Sequence, residues 1–202
     1  MKKKYILLLM LLLIIIISIC LIYRNNNKED IDIKVKYPIY KYHKLNKVIT
    51  KNINYYLKDN IDNYYFLYID YKDYEYKEYI SIVLYISYFT GGAHPNYEIK
   101  TINYNKSSNK FIDIDDLINR DKDILNKLSI YSREYFSNND MFNDKVVFDM
   151  MIDGTKSIKD NYKYFNIISD GLIIYFNRYQ IAPYYYGDYS ITIPYNYLDL
   201  SI

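Results

Sequence analysis

An α+β fold with two small subdomains, largely antiparallel sheets and packed helices, following an N-terminal transmembrane helix, is what the sequence predicts. Three observations predict it. An apolar run from Tyr5 to Tyr23 sits between Lys2-Lys3-Lys4 and the polar stretch Arg24 to Asp30. Several later segments alternate apolar and polar residues, the period of a half-buried strand. Between them lie stretches whose apolar residues recur every three to four positions, the period of a helix packed by one face.

The apolar run spans about 19 residues, close to the ~20 that cross the hydrocarbon core of a bilayer. Lysines before it favour a cytoplasmic N-terminus, which puts everything after Arg24 outside the membrane. The expectation is a single-pass anchor over residues 1–24, contacting the membrane through residues 5–23. Two alternatives stay open. A cleaved secretory signal would carry small residues at its cleavage site, and no Ala-x-Ala is present. A lipoprotein would carry its lipid on Cys20, the one cysteine of the chain, but Leu21-Ile22-Tyr23 keep the run apolar where polarity should begin.

Asn25 to Asp30 reads as a tether. A first subdomain is expected over 31–105 and a second over 106–202. In the first, Ile31, Ile33, Val35 and Tyr37 alternate with polar residues as a strand. From His43 to Lys58 the period changes, and Leu45, Val48, Ile49, Asn52, Ile53 and Tyr56 share a helical face. Strands follow at about Tyr64–Tyr71, Glu78–Thr90 and Tyr97–Tyr104. The second of these has apolar residues on both faces and is expected to be central. Gly91-Gly92 permits a positive-φ turn and Pro95 stiffens its exit, so the chain doubles back as an antiparallel meander.

In the second subdomain, Lys110 to Ile114 reads as a short strand, with Asp115 or Asp116 capping the turn that carries Leu117 and Ile118. Ile124, Leu128, Tyr131 and Tyr135 mark a helix over about 122–136. A second helix is expected over about 144–162, interrupted in propensity by Gly154. Strands at about Phe165–Ser169, Leu172–Tyr179 and Tyr189–Ile193 complete the chain, the first two joined by a tight Asp170-Gly171 turn.

Composition excludes several function classes. Setting aside Lys2, Lys3 and Lys4 leaves 23 of the 26 basic residues against 24 acidic ones, so there is no electrostatic footprint for nucleic acid. Without cysteines beyond Cys20 there is no disulfide framework and no thiolate metal site. No cofactor or metal site emerges. His43 and His94 are the only histidines and stand alone, whereas zinc needs three or four closely placed ligands. Asp113, Asp115, Asp116, Asp121 and Asp123 lack the order of a calcium loop and suit helix capping. Gly91-Gly92 lacks the Gly-Lys-Ser/Thr that grips a nucleotide. Tyrosine is the most distinctive residue, 30 of 202. An A/T-rich coding bias explains the excess; a tyrosine-rich docking surface is the functional alternative.

Two segments stand apart from the strand and helix patterns: Tyr88-Phe89-Thr90-Gly91-Gly92-Ala93-His94-Pro95-Asn96-Tyr97 and Tyr179-Gln180-Ile181-Ala182-Pro183-Tyr184-Tyr185-Tyr186-Gly187. With Phe111-Ile112-Asp113-Ile114-Asp115-Asp116-Leu117, Phe165 through Tyr175-Phe176, and Ile193-Pro194-Tyr195, they occur in an order that resembles the exported module of RsiV-type anti-sigma factors. The same module occurs in PdaC-type peptidoglycan deacetylases. Tyr185-Tyr186 depart from the smaller residues expected before the glycine.

The resemblance implies a sensor or binding module on an anchor, without catalysis of its own. Only Met1–Lys4 lies on the cytoplasmic side to hold a sigma factor, and no deacetylase domain with metal-binding His and Asp is read. Some members of the family bind lysozyme through this module, so the implied partner is a lysozyme-like protein or a peptidoglycan ligand. Candidate ligand-binding residues are Gly91, Gly92, His94, Tyr184, Tyr185, Tyr186 and Gly187. His94 reads either as a ligand contact or as a ring that fixes its turn through backbone hydrogen bonds. The three adjacent tyrosines read as an exposed aromatic patch. The expected location is the cell membrane with an extracytoplasmic domain. Two other functions remain open: an enzyme acting on cell-wall glycans, with Asp70, Asp73, Glu75 and Glu78 as the nearest carboxylate cluster, and a structural envelope component that assembles through tyrosine-rich edges.

Overall fold

The computed structural model describes residues 13–19, 31–58 and 63–200. Residues 13–19 are helical. The remainder of the expected span 5–23, with Cys20, and the whole of the expected tether lie outside the described residues. Among the described residues no helix is long and apolar enough to cross a membrane.

Residues from Asp32 onward form one compact unit of α+β class. Its first sheet has five strands in sequence order: β1 (Asp32–Val35), β2 (Phe66–Tyr76), β3 (Tyr79–Phe89), β4 (Asn96–Asn105) and β5 (Lys110–Ile112). All pairings are antiparallel except that of β1 with β2. The fifth strand comes from beyond position 105. β3 is central, and the alternation read in its sequence places Ile80, Ile82, Leu84 and Ile86 on one face and Ser81 and Val83 on the other, all buried.

The sequence expects the second strand to end near Tyr71, but it continues to Tyr76. Tyr71 to Tyr76 carries charges in place of an apolar alternation, so its strand character comes from full pairing with β3 rather than from burial. Lys77, at φ +50°, takes the left-handed position of the resulting two-residue turn.

Helix α1 (His43–Lys58) buries Leu45, Ile49, Ile53 and Tyr56. It covers the even-numbered face of β3 and β4. The Tyr56 hydroxyl donates to Glu98 Oε2 at 2.8 Å, and the Tyr88 hydroxyl donates to Glu98 Oε1 at 3.0 Å. Lys100 completes the cluster with Nζ 3.1 Å from Glu98. Burial pushes the Glu98 carboxyl up, but the Tyr56, Lys100 and Tyr88 hydrogen bonds more than offset it, and the group ends below the usual range.

The rest of the chain packs against the opposite face. Helices α2 (Ile114–Arg120), α3 (Ile124–Ser137), α4 (Lys145–Gly154) and α5 (Lys159–Tyr162) precede a three-stranded antiparallel sheet, β6 (Phe165–Ile167), β7 (Gly171–Phe176) and β8 (Tyr189–Pro194), and the short α6 (Tyr195–Leu198) closes the fold. A single apolar core joins these elements, with Leu117, Leu128, Met151, Tyr162, Phe165, Phe176 and Ile193 fully buried within it. Asp113, not Asp115 or Asp116, caps α2. Its carboxylate accepts from the Asp115 and Asp116 amides while Asp116 reaches back to the Asp113 amide. This is a capping box, with Asp in the place of the usual Glu.

The helix expected over 144–162 is broken in two. Gly154 ends α4 because the backbone of Gln180 runs against it: a Cβ at this position would lie 1.9 Å from the Gln180 carbonyl oxygen. The Gln180 side chain then ties the break together, its amide donating to the carbonyls of Gly154 and Asn161 at 3.0 Å each.

A buried polar seam joins the two sheets. Asn166 Nδ2 donates to the Ile82 carbonyl (3.1 Å) and to Asn103 Oδ1 (3.2 Å), and its Oδ1 accepts from the Tyr175 hydroxyl (3.0 Å). Asn103 Nδ2 donates to the Phe165 carbonyl (2.9 Å), and the Ile167 amide donates to Ser81 Oγ (3.0 Å). Asn166, Asn103 and Ser81 are all buried. Leaving such partners unsatisfied costs about 1–3 kcal/mol per group.

Two predictions follow from these contacts. Asn166→Ala removes the donor to the Ile82 carbonyl and Asn103 and the acceptor of the Tyr175 hydroxyl, and denaturant unfolding should show a loss of about 1–3 kcal/mol. Glu98 has a folded pKa below its ordinary 4.5, so its stabilisation is present above that value and is lost as pH falls through the folded value. Thermal unfolding of Glu98→Gln should therefore fall less steeply with acidification below about pH 5 than that of the unmodified chain. Parallel pH profiles would contradict this.

Candidate functional site

The two motif segments lie almost ninety positions apart in sequence and meet in space. The turn between β3 and β4 uses Gly91 (φ +96°) and Gly92 (φ +112°), a conformation that a Cβ opposes. It presents His94 to the loop that follows β7. The His94 ring stacks on Tyr184 with centroids 3.8 Å apart and planes 23° from parallel. Nδ1 lies 3.0 Å from the Pro95 carbonyl, and Nε2 lies 3.2 Å from the Tyr179 hydroxyl. A carbonyl only accepts, so Nδ1 carries the proton and Nε2 of the neutral ring accepts from Tyr179. Tyr184 in turn donates its hydroxyl to the Pro95 carbonyl at 2.7 Å.

Arg178 forms the inner layer. Its guanidinium lies 3.6 Å from the centre of the Tyr97 ring and 4.6 Å from that of Tyr184. Asp188 accepts from the Arg178 amide at 3.1 Å, and its other oxygen lies 3.7 Å from Arg178 Nε, which is buried without a hydrogen-bond partner. Burial pushes the Asp188 carboxyl above its ordinary value despite the nearby cation. Tyr179, at φ +66°, takes a left-handed conformation that aims its hydroxyl at His94. Asn177 anchors the start of the loop to the first sheet by accepting from the Ile99 amide at 3.0 Å.

Of the seven candidate residues, Gly91, Gly92, His94 and Tyr184 are thus brought together. The three tyrosines do not form one exposed patch. Tyr184 is enclosed by His94, Tyr97 and Tyr179, and Tyr186 packs against the apolar core of the helices and the three-stranded sheet. Tyr185 alone is strongly exposed, at 75%, with its ring 4.1 Å from that of Tyr186. The short 3-10 turn of Tyr184–Tyr186 turns Tyr184 toward His94 and leaves Tyr185 beside Tyr186, and the Gly187 amide closes it on the Tyr184 carbonyl at 3.1 Å. Sequence reasoning missed Arg178, whose signal is only its place beside Tyr179-Gln180.

The rival carboxylate cluster does not converge. Asp70 lies on the opposite face of β2 from Asp73 and Glu75. Each is met by its own partner: Lys36 at 3.9 Å for Asp70, the Tyr40 hydroxyl for Asp73 and Lys106 for Glu75. Among the described residues no group of three or more His, Cys, Asp or Glu side chains is placed to hold a metal ion.

The stack makes its own prediction. A double-mutant cycle between His94→Ala and Tyr184→Leu, read by denaturant unfolding, should give a coupling of about 0.5–1.5 kcal/mol. Additive losses would mean that the two loops do not hold each other.

Comparison with known proteins agrees with this architecture. Residues 115–196 match the family described as a protein of unknown function (DUF3298). The chain is 32% identical over 181 residues to the peptidoglycan-N-acetylmuramic acid deacetylase PdaC of Bacillus subtilis, an alignment covering 83% of this chain and 38% of that enzyme. A crystal structure of a DUF3298 family protein from Pseudomonas aeruginosa PAO1 superposes with a TM-score of 0.64 at 18% identity, covering 84% of this chain and 83% of the other. A DUF3298 family member from Bacteroides fragilis NCTC 9343 superposes with a TM-score of 0.51 at 20% identity, over 77% of this chain and 60% of the other. These two likenesses concern the fold alone. The chain is therefore similar to PdaC over most of its own length, and its second half, residues 115–196, matches the DUF3298 family.

Proposed function

We propose that the chain is a membrane-anchored, extracytoplasmic binding or sensor module without catalysis of its own, which takes a lysozyme-like protein or a cell-wall ligand on the surface formed by Gly91–His94 and Tyr184–Gly187. The observation that carries the reading is the engagement of both His94 ring nitrogens, one on the Pro95 carbonyl and one on the Tyr179 hydroxyl. An imidazole held in this way ties the two loops together and fixes the shape of the surface between them. Beside it, Tyr185 offers an exposed aromatic side chain with a polar tip, the type of residue that anchors protein and ligand interfaces.

Homology to a peptidoglycan deacetylase supports a ligand at the cell wall. The chain spans well under half the length of that enzyme, so the shared part is read as a module and the deacetylase reaction is not carried over. The apolar run 5–23, with lysines before it, supports the anchored topology. The divided positions of Asp70, Asp73 and Glu75 argue against a glycosidase, whose two carboxylates face each other about 5–10 Å apart across the sugar.

The test is titration calorimetry of the full-length chain with lysozyme and with soluble peptidoglycan fragments, beside the variant Tyr185→Ala. Saturable binding to one of them, weakened at least tenfold in the variant, is the expected result. Full affinity in the variant would move the binding surface elsewhere, and no binding to either would remove both ligands. Protease added to intact cells or spheroplasts should cleave beyond Arg24; protection there would overturn the topology.

A further inference from the structure

The near balance of charge over the whole chain conceals a segregation. Residues 33–58 carry seven lysines and no acidic residue, whereas residues 59–202 carry 14 basic residues against 21 acidic ones. In the fold the imbalance falls on the two faces of the first sheet. On one face α1 holds Lys44, Lys47, Lys51 and Lys58 and no carboxylate. The layer on the other face, residues 113–202, holds 9 basic residues against 14 acidic ones. Strand register also places Asp73, Glu75 and Glu98 on the α1 side of the sheet. Each of these is engaged: Asp73 by the Tyr40 hydroxyl, Glu75 by Lys106, and Glu98 by Lys100 with Tyr56 and Tyr88. The outer surface of α1 is therefore a positive patch on a chain whose remainder is negative.

The patch is a strip. His43, Lys47, Thr50, Lys51, Asn54 and Lys58 follow one another at the spacing of a single helical face and border one hollow of ≈ 630 Å³. All are exposed except the half-buried Asn54. Elsewhere lysines meet carboxylates, as Lys127 meets Asp121 and Asp199 and Lys159 meets Asp115. Among the described residues, the side chains of His43, Lys47, Thr50, Lys51 and Asn54 have no hydrogen-bond or ion-pair partner. Asn46, at the edge of the strip, is instead committed to the chain before the helix. It accepts from the Tyr40 amide at 2.9 Å and donates to the Tyr40 carbonyl at 2.6 Å.

The strip's chemistry selects its partner. At a rise of about 1.5 Å per residue, Lys47, Lys51 and Lys58 are spread over roughly 16 Å of helix axis, too far for one small anion to meet all three. A linear polyanion with a charge on every link can do so. The cations are lysines, compact point charges that suit phosphate, and no arginine fork is present to favour a planar carboxylate. Thr50 and Asn54 add neutral donors between the charges. No aromatic ring borders the strip as a platform for nucleic-acid bases, and no apolar side chain borders it for entry into a lipid surface.

We propose that the outer strip of α1, centred on Lys47 and Lys51, binds a linear phosphodiester polymer that carries no bases. The strip is separate from the His94 and Tyr185 surface and does not depend on the function proposed for it.

The experiment is a titration of fluorescently labelled poly(glycerol phosphate) with the full-length chain in an uncharged detergent, read by anisotropy over a series of salt concentrations. Saturable binding is expected, with a log–log salt slope of about −2 for three lysines at ~0.7 each. Lys47→Gln with Lys51→Gln should weaken binding at least tenfold at low salt and reduce the slope by about 1.4. Lys122→Gln with Lys145→Gln removes the same charge from elsewhere on the surface and should bind as the unmodified chain does, as should Tyr185→Ala. All these positions are exposed, and unfolding curves recorded in parallel confirm that each variant is folded. Absence of saturable binding at low salt would overturn the proposal. So would equal weakening in the two double variants, which would make net charge the cause, or loss of binding in Tyr185→Ala, which would place the polymer on the other surface. Tighter binding of a single-stranded oligonucleotide or of polyglutamate of equal charge would overturn the assigned chemistry.

Discussion

The rest of the structure depends on the buried amide of Asn166. β6 is three residues long and too short to be held by ladder hydrogen bonds alone. Its central side chain crosses between the sheets instead, bonding the Ile82 carbonyl and Asn103 on one side and Tyr175 on the other. Hydrogen bonds are directional, and a buried polar group without a partner is costly, so this seam admits one register between the sheets where an apolar contact would admit several. The Ile167 amide on Ser81 repeats the constraint one residue further on.

From that register the geometry of the His94 surface follows. β7 leaves the seam with Tyr175 packed against Val83 and Ile99, and its end is pinned by Asn177 on the Ile99 amide. Arg178 then reaches Tyr97 and Tyr184, and Tyr179 reaches His94. On the far side, Gln180 fastens the same loop to Gly154 and Asn161. The loop is thus fixed at both ends and along its length, which leaves Tyr185 as a rigidly presented side chain. A preorganised surface loses less entropy on binding than a mobile one, and that rigidity is what a recognition role requires.

Much of this was legible in the sequence where the signal is local. The alternation of Ile80 to Tyr88 marked the central strand and the period of Leu45 to Tyr56 marked the helix that covers it, while Asp170-Gly171 marked the β6–β7 turn one residue late, because Ile168 closes on Gly171 and the turn is centred on Ser169-Asp170. The two motif segments held the candidate site and its main partners. What was not legible depends on distant chain. The extension of β2 through Tyr76 is sustained by β3, and Lys77 adopts a turn conformation for which glycine would have been the usual sign. The parallel pairing of β1 with β2 spans more than thirty positions. The break after Gly154 follows from the approach of Gln180, and the difference between Tyr184, Tyr185 and Tyr186 follows from a 3-10 turn that adjacent identical residues cannot announce. The Glu98 cluster went unseen because its members come from one helix and two strands.

Amide hydrogen exchange of the full-length chain, with and without saturating lysozyme or peptidoglycan fragments, tests the central claim most directly. A module that binds through its preorganised loops should gain protection over residues 91–97 and 178–187, with the strands of the seam already protected in the free protein. Protection confined to other segments, or free-state exchange in those loops as fast as in an unfolded chain, would contradict the account.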